Sequence, residues 1–528
     1  MDNQTPALQG AGVSSFRTET MAEVKHRRIV IVGGGTSGWM TAAALGRFLE
    51  SGWSVTLVES DQIGTIGVGE ATIPMVRNFN QALGIDEAEF LTATHGTYKL
   101  AIAFEGWGGF GERYLHAFGM TGRSLGLIPF HHYWLRGRAA GVAGPLGDYV
   151  LNDVVAHANR FARVERPAGS ALPPMPYAYH FDASLYAAFL RRYAEARGVI
   201  RREGLVQDVL LDSESGDVAA LLMADGTRIE GDLFVDCSGF RALLIEGALG
   251  TPYVDWSEWL ACDRAVAVPC DRADGPLVPY TRSIAQPAGW RWRIPLQHRT
   301  GNGHVFCSSL MSEDEATGLL LAGLDGKAQA EPRTIHFKAG RREKFWNRNV
   351  VAIGLASGFI EPLESTSIHL VQTAISRLLD FLPNGPVASA DRDSFNRIAV
   401  FEIERIRDFV ILHYAANGRS GEPFWDRLRA MALPDALADR IAMFRASGRI
   451  VRDHDELFDV PGWLQVMTGQ GIMPQTWHPL ADQLEPAQLA AFLDTVRQAC
   501  QMDMARMPDH AEFVARLCGQ EIPHAHPA

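Results

Sequence analysis

Arg28-Ile-Val-Ile-Val-Gly-Gly-Gly-Thr-Ser-Gly38 is the stretch that decides the fold. A short β-branched run leads into Gly33-x-Gly35-x-x-Gly38, and Trp39-Met-Thr-Ala-Ala-Ala-Leu45 then reads as a helix. A phosphate-binding turn needs that order. The first glycine permits the tight turn, the second lets backbone approach a pyrophosphate, and the third lets helix and strand pack closely. A second strand, Ser54-Val-Thr-Leu-Val-Glu59, ends in an acid about twenty residues past Gly38, placed to accept from a ribose hydroxyl. The reading is an α/β chain with a Rossmann-like dinucleotide site. NAD(P) and FAD share this fingerprint, so the stretch alone does not choose between them.

The rest of the chain narrows the choice. With 528 residues it is too long for one ordinary core, which predicts a large cofactor domain and a helical accessory region. A net charge of −12 without any block of Lys and Arg excludes a nucleic-acid partner, and no run of about 18 apolar residues predicts a membrane span. The six cysteines are scattered, without C-x-x-C, and read as reduced thiols of a cytoplasmic protein. No metal site is predicted; His524 and His526 read as part of a solvated tail. Residues 1–25 read as a disordered leader or tag, 26–385 as the cofactor domain, and 386–528 as a helical region covering the substrate site, with helical periodicity strongest from Asp391 to Arg449. The Pro-rich stretch from Pro167 to Pro176 reads as a loop before a helix start at Tyr179-His-Phe-Asp182.

Several strings have no fold reason to be there. In Trp290-Arg-Trp292-Arg-Ile294-Pro295 the alternation alone would give one face of a strand. Lys99 stands in an apolar aromatic run, Thr97-Tyr-Lys-Leu-Ala-Ile-Ala-Phe-Glu-Gly-Trp107, where a lone lysine usually snorkels to solvent. Gly358-Phe-Ile-Glu361-Pro-Leu-Glu364-Ser365-Thr366-Ser367-Ile368 sets two carboxylates around a proline, and Tyr114-Leu-His116-Ala-Phe118 pairs an imidazole with a phenyl ring. Together these strings resemble the tryptophan-halogenase family of flavin-dependent halogenases, over about residues 28 to 485. Asp232-Leu-Phe-Val-Asp-Cys-Ser-Gly239 and Val351-Ala-Ile-Gly-Leu-Ala-Ser-Gly358 resemble the segments by which flavin monooxygenase-type folds return to FAD, and Gly64-Thr-Ile-Gly-Val-Gly-Glu-Ala-Thr-Ile-Pro74 resembles the family's flavin strap.

The resemblance implies an FAD-binding Rossmann-like domain of the monooxygenase/halogenase type with a mainly helical C-terminal region. It implies FAD contacts at Gly33, Gly35, Thr36, Ser37, Gly38, Glu59, Gly69, Ala71, Val206, Asp236, Gly239, Leu355 and Ile368. Lys99 matches the lysine that receives hypohalous acid, by hydrogen bond or as a haloamine, and Glu364 the carboxylate that assists proton loss from the arene, with Ser365 bridging the two. Glu361 is expected to be tied into backbone or cap hydrogen bonds. Backbone N–H groups of Thr366 and Ser367 are implied for chloride or bromide; many relatives carry glycine at Ser367. Trp290, Trp292, Ile294 and Pro295 would partition flavin from substrate and line a tunnel for hypohalous acid. His116, Phe118 and Trp463 would wall the aromatic pocket. FADH2 from a separate flavin reductase, O2 and halide complete the implied reaction, and a homodimer is compatible with it. Only the short Leu457 to Pro461 stretch stands where the enzymes of free tryptophan carry a longer cover, so a more open pocket for indole or another electron-rich arene is expected. Two rivals remain: a flavin monooxygenase that hydroxylates an aromatic, and a flavin-holding protein without catalysis.

Overall fold

Ile29, Val30, Ile31 and Val32 are buried on both faces, as the centre of a parallel sheet requires. They belong to β1 (Arg27–Val32), which runs parallel between Leu233–Asp236 and β2 (Trp53–Glu59). The computed structural model describes residues 27–519 except 64–68, 164–173, 273 and 454. The expected leader, the terminal histidines, most of the Pro-rich loop and the first half of the strap lie outside the described residues. Six strands make the sheet, in the order Trp346–Asn347, Val350–Ala352, Leu233–Asp236, β1, β2, Ile200–Glu203. Both segments expected to return to the cofactor thus lie on one side of β1, although more than 190 residues separate Leu233 from the fingerprint that begins at Arg28.

The glycines do what the spacing demands. Gly33 has φ +113°, and a Cβ there would stand 2.2 Å from the Cys237 carbonyl oxygen. A Cβ on Gly38 would meet the Gly33 carbonyl oxygen at 1.8 Å, so only glycine lets α1 (Thr36–Phe48) start this close to β1.

A seven-stranded sheet carries the tryptophan string on Gly289–Pro295, between Tyr280–Gln286 and Arg299–Phe306. Trp290, Trp292 and Ile294 are buried on one face; on the other Arg291 donates to the Leu319 carbonyl and Arg293 to Asp325. Lys99 ends the strand Thr97–Lys99, which pairs with Ala178–Asp182 in a three-stranded sheet that also holds Gly69–Ala71. Tyr179 to Asp182 is therefore strand and not helix start. Asp182 caps the following helix, Ala183–Glu195, by accepting from the Ser184 and Leu185 amides.

The periodic region folds as three helices, Ser389–Ala415, Pro423–Arg429 and Asp435–Ser447. They and Val460–Gly469 share one continuous apolar core with β1, the tryptophan strand and the Lys99 strand. No described helix is long and apolar enough to cross a membrane.

Candidate active site

A cavity of about 600 Å³ opens along the glycine loop, within the range of small-molecule and cofactor sites. Its lining includes Gly33, Gly35, Thr36, Ser37 and Glu59, then Gly69, Ala71, Val206, Gly239, Leu355 and Ile368, and also Trp290, Trp292, Ile294, Ser365 and Ser367. A Cβ on Gly35 meets nothing within 4 Å, so the cavity comes right up to that backbone. Glu59 pairs with Arg201 at 2.5 Å. A loop bared by glycine, a helix N-terminus behind it and an acid at the strand end fit a dinucleotide. Gly38 and Asp236 are outside the lining. Gly38 serves packing, and the Asp236 carboxylate is spent on the amides of Ser238, Leu244 and Ile245, which fix the turn after its strand.

Lys99 lies beside this cavity, fully buried. Its ammonium donates to the Thr72 carbonyl at 3.0 Å and to Ser365 Oγ at 2.7 Å. Burial pulls its pKa from 10.5 down to about 7, against the opposing pull of Glu364. Ser365 takes a left-handed backbone, φ 59° and ψ 35°, ending the 3₁₀ turn Pro362–Glu364. The turn aims its two acids apart. Glu364 faces His116, whose Nδ1 lies 3.0 and 2.9 Å from the two carboxylate oxygens, and His413, whose Nε2 lies 2.7 Å from Oε1.

Sequence reasoning missed His413. Its Nδ1 is 2.9 Å from the Phe409 carbonyl, which can only accept, so that nitrogen carries a hydrogen. The Nε2 contact sets the imidazole against the carboxylate without a well-aligned hydrogen bond. Burial alone would raise the Glu364 carboxyl; the two imidazoles outweigh it and hold the pKa at about 2. One signal was present in the sequence: a histidine inside the buried run Phe409-Val-Ile-Leu-His413-Tyr needs a partner.

Glu361 points the other way. Its Oε2 accepts from Trp290 Nε1 at 3.0 Å and from the Tyr414 hydroxyl. The expectation of backbone or cap bonds is thus corrected: two side chains from distant elements hold it, because proline follows and the turn leaves the carboxylate facing the tryptophan strand. Burial raises Glu361 to about 7. Trp292 packs on Gly303, where a Cβ would stand 2.0 Å from the indole. Pro295 is not in the cavity lining, and its carbonyl accepts from Thr97, two residues before Lys99. Thr366 is the N-cap residue of the helix Ser367–Asp380, outside the lining, whereas Ser367 is in it.

On the far side of Glu364 stand His116 on its strand, Phe409, Trp463 and Phe458. Phe118 lies with its ring 5.4 Å from the Lys99 ammonium. Arg440 covers the Trp463 ring at 4.2 Å. A dinucleotide-type cavity, a buried lysine bonded to a residue of its lining and a buried carboxylate fit an FAD-type Rossmann-like enzyme with aromatic rings beside its site.

The tryptophan halogenase description matches residues 28–486. The chain is 35% identical over 522 residues to tryptophan 6-halogenase SttH of Streptomyces toxytricini, covering 94% of this chain and 99% of that protein. Among solved structures, Xcc4156, a flavin-dependent halogenase from Xanthomonas campestris, is 49% identical with TM-score 0.91 over 94% of this chain and all of that one. BrvH, a flavin-dependent halogenase from Brevundimonas sp. BAL3, is 44% identical with TM-score 0.90 over the same shares. This chain belongs to the tryptophan halogenase family. It is an enzyme that uses FADH2, O2 and chloride or bromide, draws on a separate flavin reductase, and acts on an aromatic substrate.

Proposed function

We propose that hypohalous acid made in the flavin cavity passes Trp290, Trp292, Ile294 and Pro295 to Lys99, which presents it to an indole-like or other electron-rich free arene. O2, activated by FADH2, would supply the oxidising power when both are bound; the chain's residues do the rest. Thr366 and Ser367 would hold halide with backbone N–H groups. The Lys99 ammonium would hydrogen-bond the oxygen of hypohalous acid. The arene carbon attacks the halogen, the oxygen–halogen bond breaks, and the oxygen leaves as water after taking a proton from the Lys99 ammonium. Glu364 accepts the ring proton, restoring aromaticity. The observation that carries this reading is the 2.7 Å bond from Lys99 to Ser365, a residue that faces the flavin cavity while its neighbour Glu364 faces His116.

The short Leu457 to Pro461 stretch supports a free arene over the zwitterionic amino acid that names the curated relatives. Six free cysteines favour a cytoplasmic setting. The test is mass spectrometry of products from indole, phenols and L-tryptophan with a flavin reductase and either halide. A halogen isotope pattern on indole is expected, and Lys99→Ala should abolish it while FAD binding survives. An oxygenated product formed without halide would establish a hydroxylase instead.

A further inference from the structure

Four rings meet beside Glu364. His116 is tied to that carboxylate, Phe409 sits within the 27-residue helix Ser389–Ala415, and Trp463 lies under Arg440. Their exposures are 6%, 0% and 1%. The fourth ring, Phe458, differs from all three. It precedes Asp459, the N-cap of Val460–Gly469, and is only partly buried. It stacks on Phe409 with centroids 3.7 Å apart and planes 12° off parallel.

A planar arene slotted face to face between two rings needs about 7 Å between their centroids, twice the ordinary contact of about 3.5 Å. None of the ring contacts made by Phe409, nor that between Phe458 and His116, reaches that. Phe409 is 5.5 Å from His116 and 4.8 Å from Trp463, and Phe458 is 6.2 Å from His116. The cluster is filled by its own members, and one must leave before an arene can enter. Phe458 is the one on a connecting segment, held at its ring by Phe409 and His116 and by no polar group of its own side chain.

We infer that the Phe458 ring stands in for the substrate's ring, and that an arene enters by displacing it and taking over its stack on Phe409. This rests on the halogenase reading above. Phe458 is then a specificity-determining residue: ligands are selected for a flat apolar face that competes with a phenyl ring, which indole offers. The opposing explanation is a hydrophobic staple, since Phe458 and Trp463 occupy the positions before the cap and four after it. The two differ in sign. A staple or a pocket wall loses arene affinity on truncation, whereas a stand-in gains it.

Calorimetric titration of the FAD-loaded protein with indole tests this. Phe458→Ala should bind indole about three- to tenfold more tightly, the worth of one aromatic pair, and Phe458→Trp more weakly by a similar factor. Phe458→Leu keeps an apolar staple but no flat ring, and should also bind more tightly if the alanine variant fails to fold. Unchanged or weaker binding by a folded Ala or Leu variant overturns the inference. The same preparations, given reductase and bromide, separate the two claims. Tighter binding without any brominated product would sink the halogenase reading and leave the displacement standing; bromination with unchanged binding would do the reverse.

Discussion

Lys99 makes the protein's stability depend on pH in a way that can be worked out from its burial. An amine whose pKa falls from 10.5 unfolded to about 7 folded binds fewer protons when folded throughout that interval, so folding becomes more favourable as pH rises from about 7 to about 10.5. At pH 6 both states are protonated and nearly the whole cost of burying the charge is present, about 5 kcal/mol. At pH 9 the folded amine is neutral and the cost is about 2 kcal/mol. Lys99→Met removes this pH-dependent cost, while its loss of the bonds to Thr72 and Ser365 is the same at both pH values. Urea unfolding of wild type and variant at pH 6 and pH 9 measures the difference. The stability of wild type relative to the variant should improve by about 2 to 3 kcal/mol between pH 6 and 9. Glu364, held at about 2, stays ionised across this window and does not contribute to the slope. A gap that does not change with pH would refute the claim that Lys99 is buried as a desolvated amine.

Other outcomes follow from the same geometry. The rate of halogenation should fall as pH rises through about 7 where the Lys99 ammonium does the polarising, and rise where the free amine carries the halogen; a pH profile of single-turnover rates decides which. Glu364→Gln should lower kcat by about 10² to 10⁴, and His413→Ala should move the acid limb of the pH profile upward by releasing Glu364 from one of its imidazoles. Trp290→Phe removes a donor to the buried Glu361 and should destabilise the protein by about 1 to 3 kcal/mol, read by thermal melting. Gly303→Ala puts a methyl group into the Trp292 ring and should disturb the coupling of flavin oxidation to product, measured as hydrogen peroxide released per halogenated product.

Local features were legible in the sequence, and features assembled from distant elements were not. The glycine loop and Glu59 could be read because the fingerprint is a matter of consecutive backbone positions and one strand end. Lys99 and Glu364 were legible through resemblance, since nothing in an apolar run tells a buried lysine from a snorkelling one. The donors to Glu361 were misjudged. Trp290 reaches it from a strand 71 residues away and Tyr414 from a helix 53 residues away, and only the packed fold brings the three together. His413 was passed over as helix core, which by position it is. The stack of Phe458 on Phe409 joins a connecting segment to a helix 49 residues earlier in the chain, and no local pattern in either segment announces it.

The left-handed turn at Ser365 sets backbone strain against a hydrogen bond at a single residue. Any side chain there costs about 1 to 2 kcal/mol that glycine would recover. Ser365→Gly would relieve that strain, but it would strip the buried Lys99 ammonium of its hydroxyl partner, a loss of about 1 to 3 kcal/mol that offsets the gain. The strain is thus held in place by the hydrogen bond it makes possible, and hardening this protein by evolution in the laboratory would have to draw its gains from other positions.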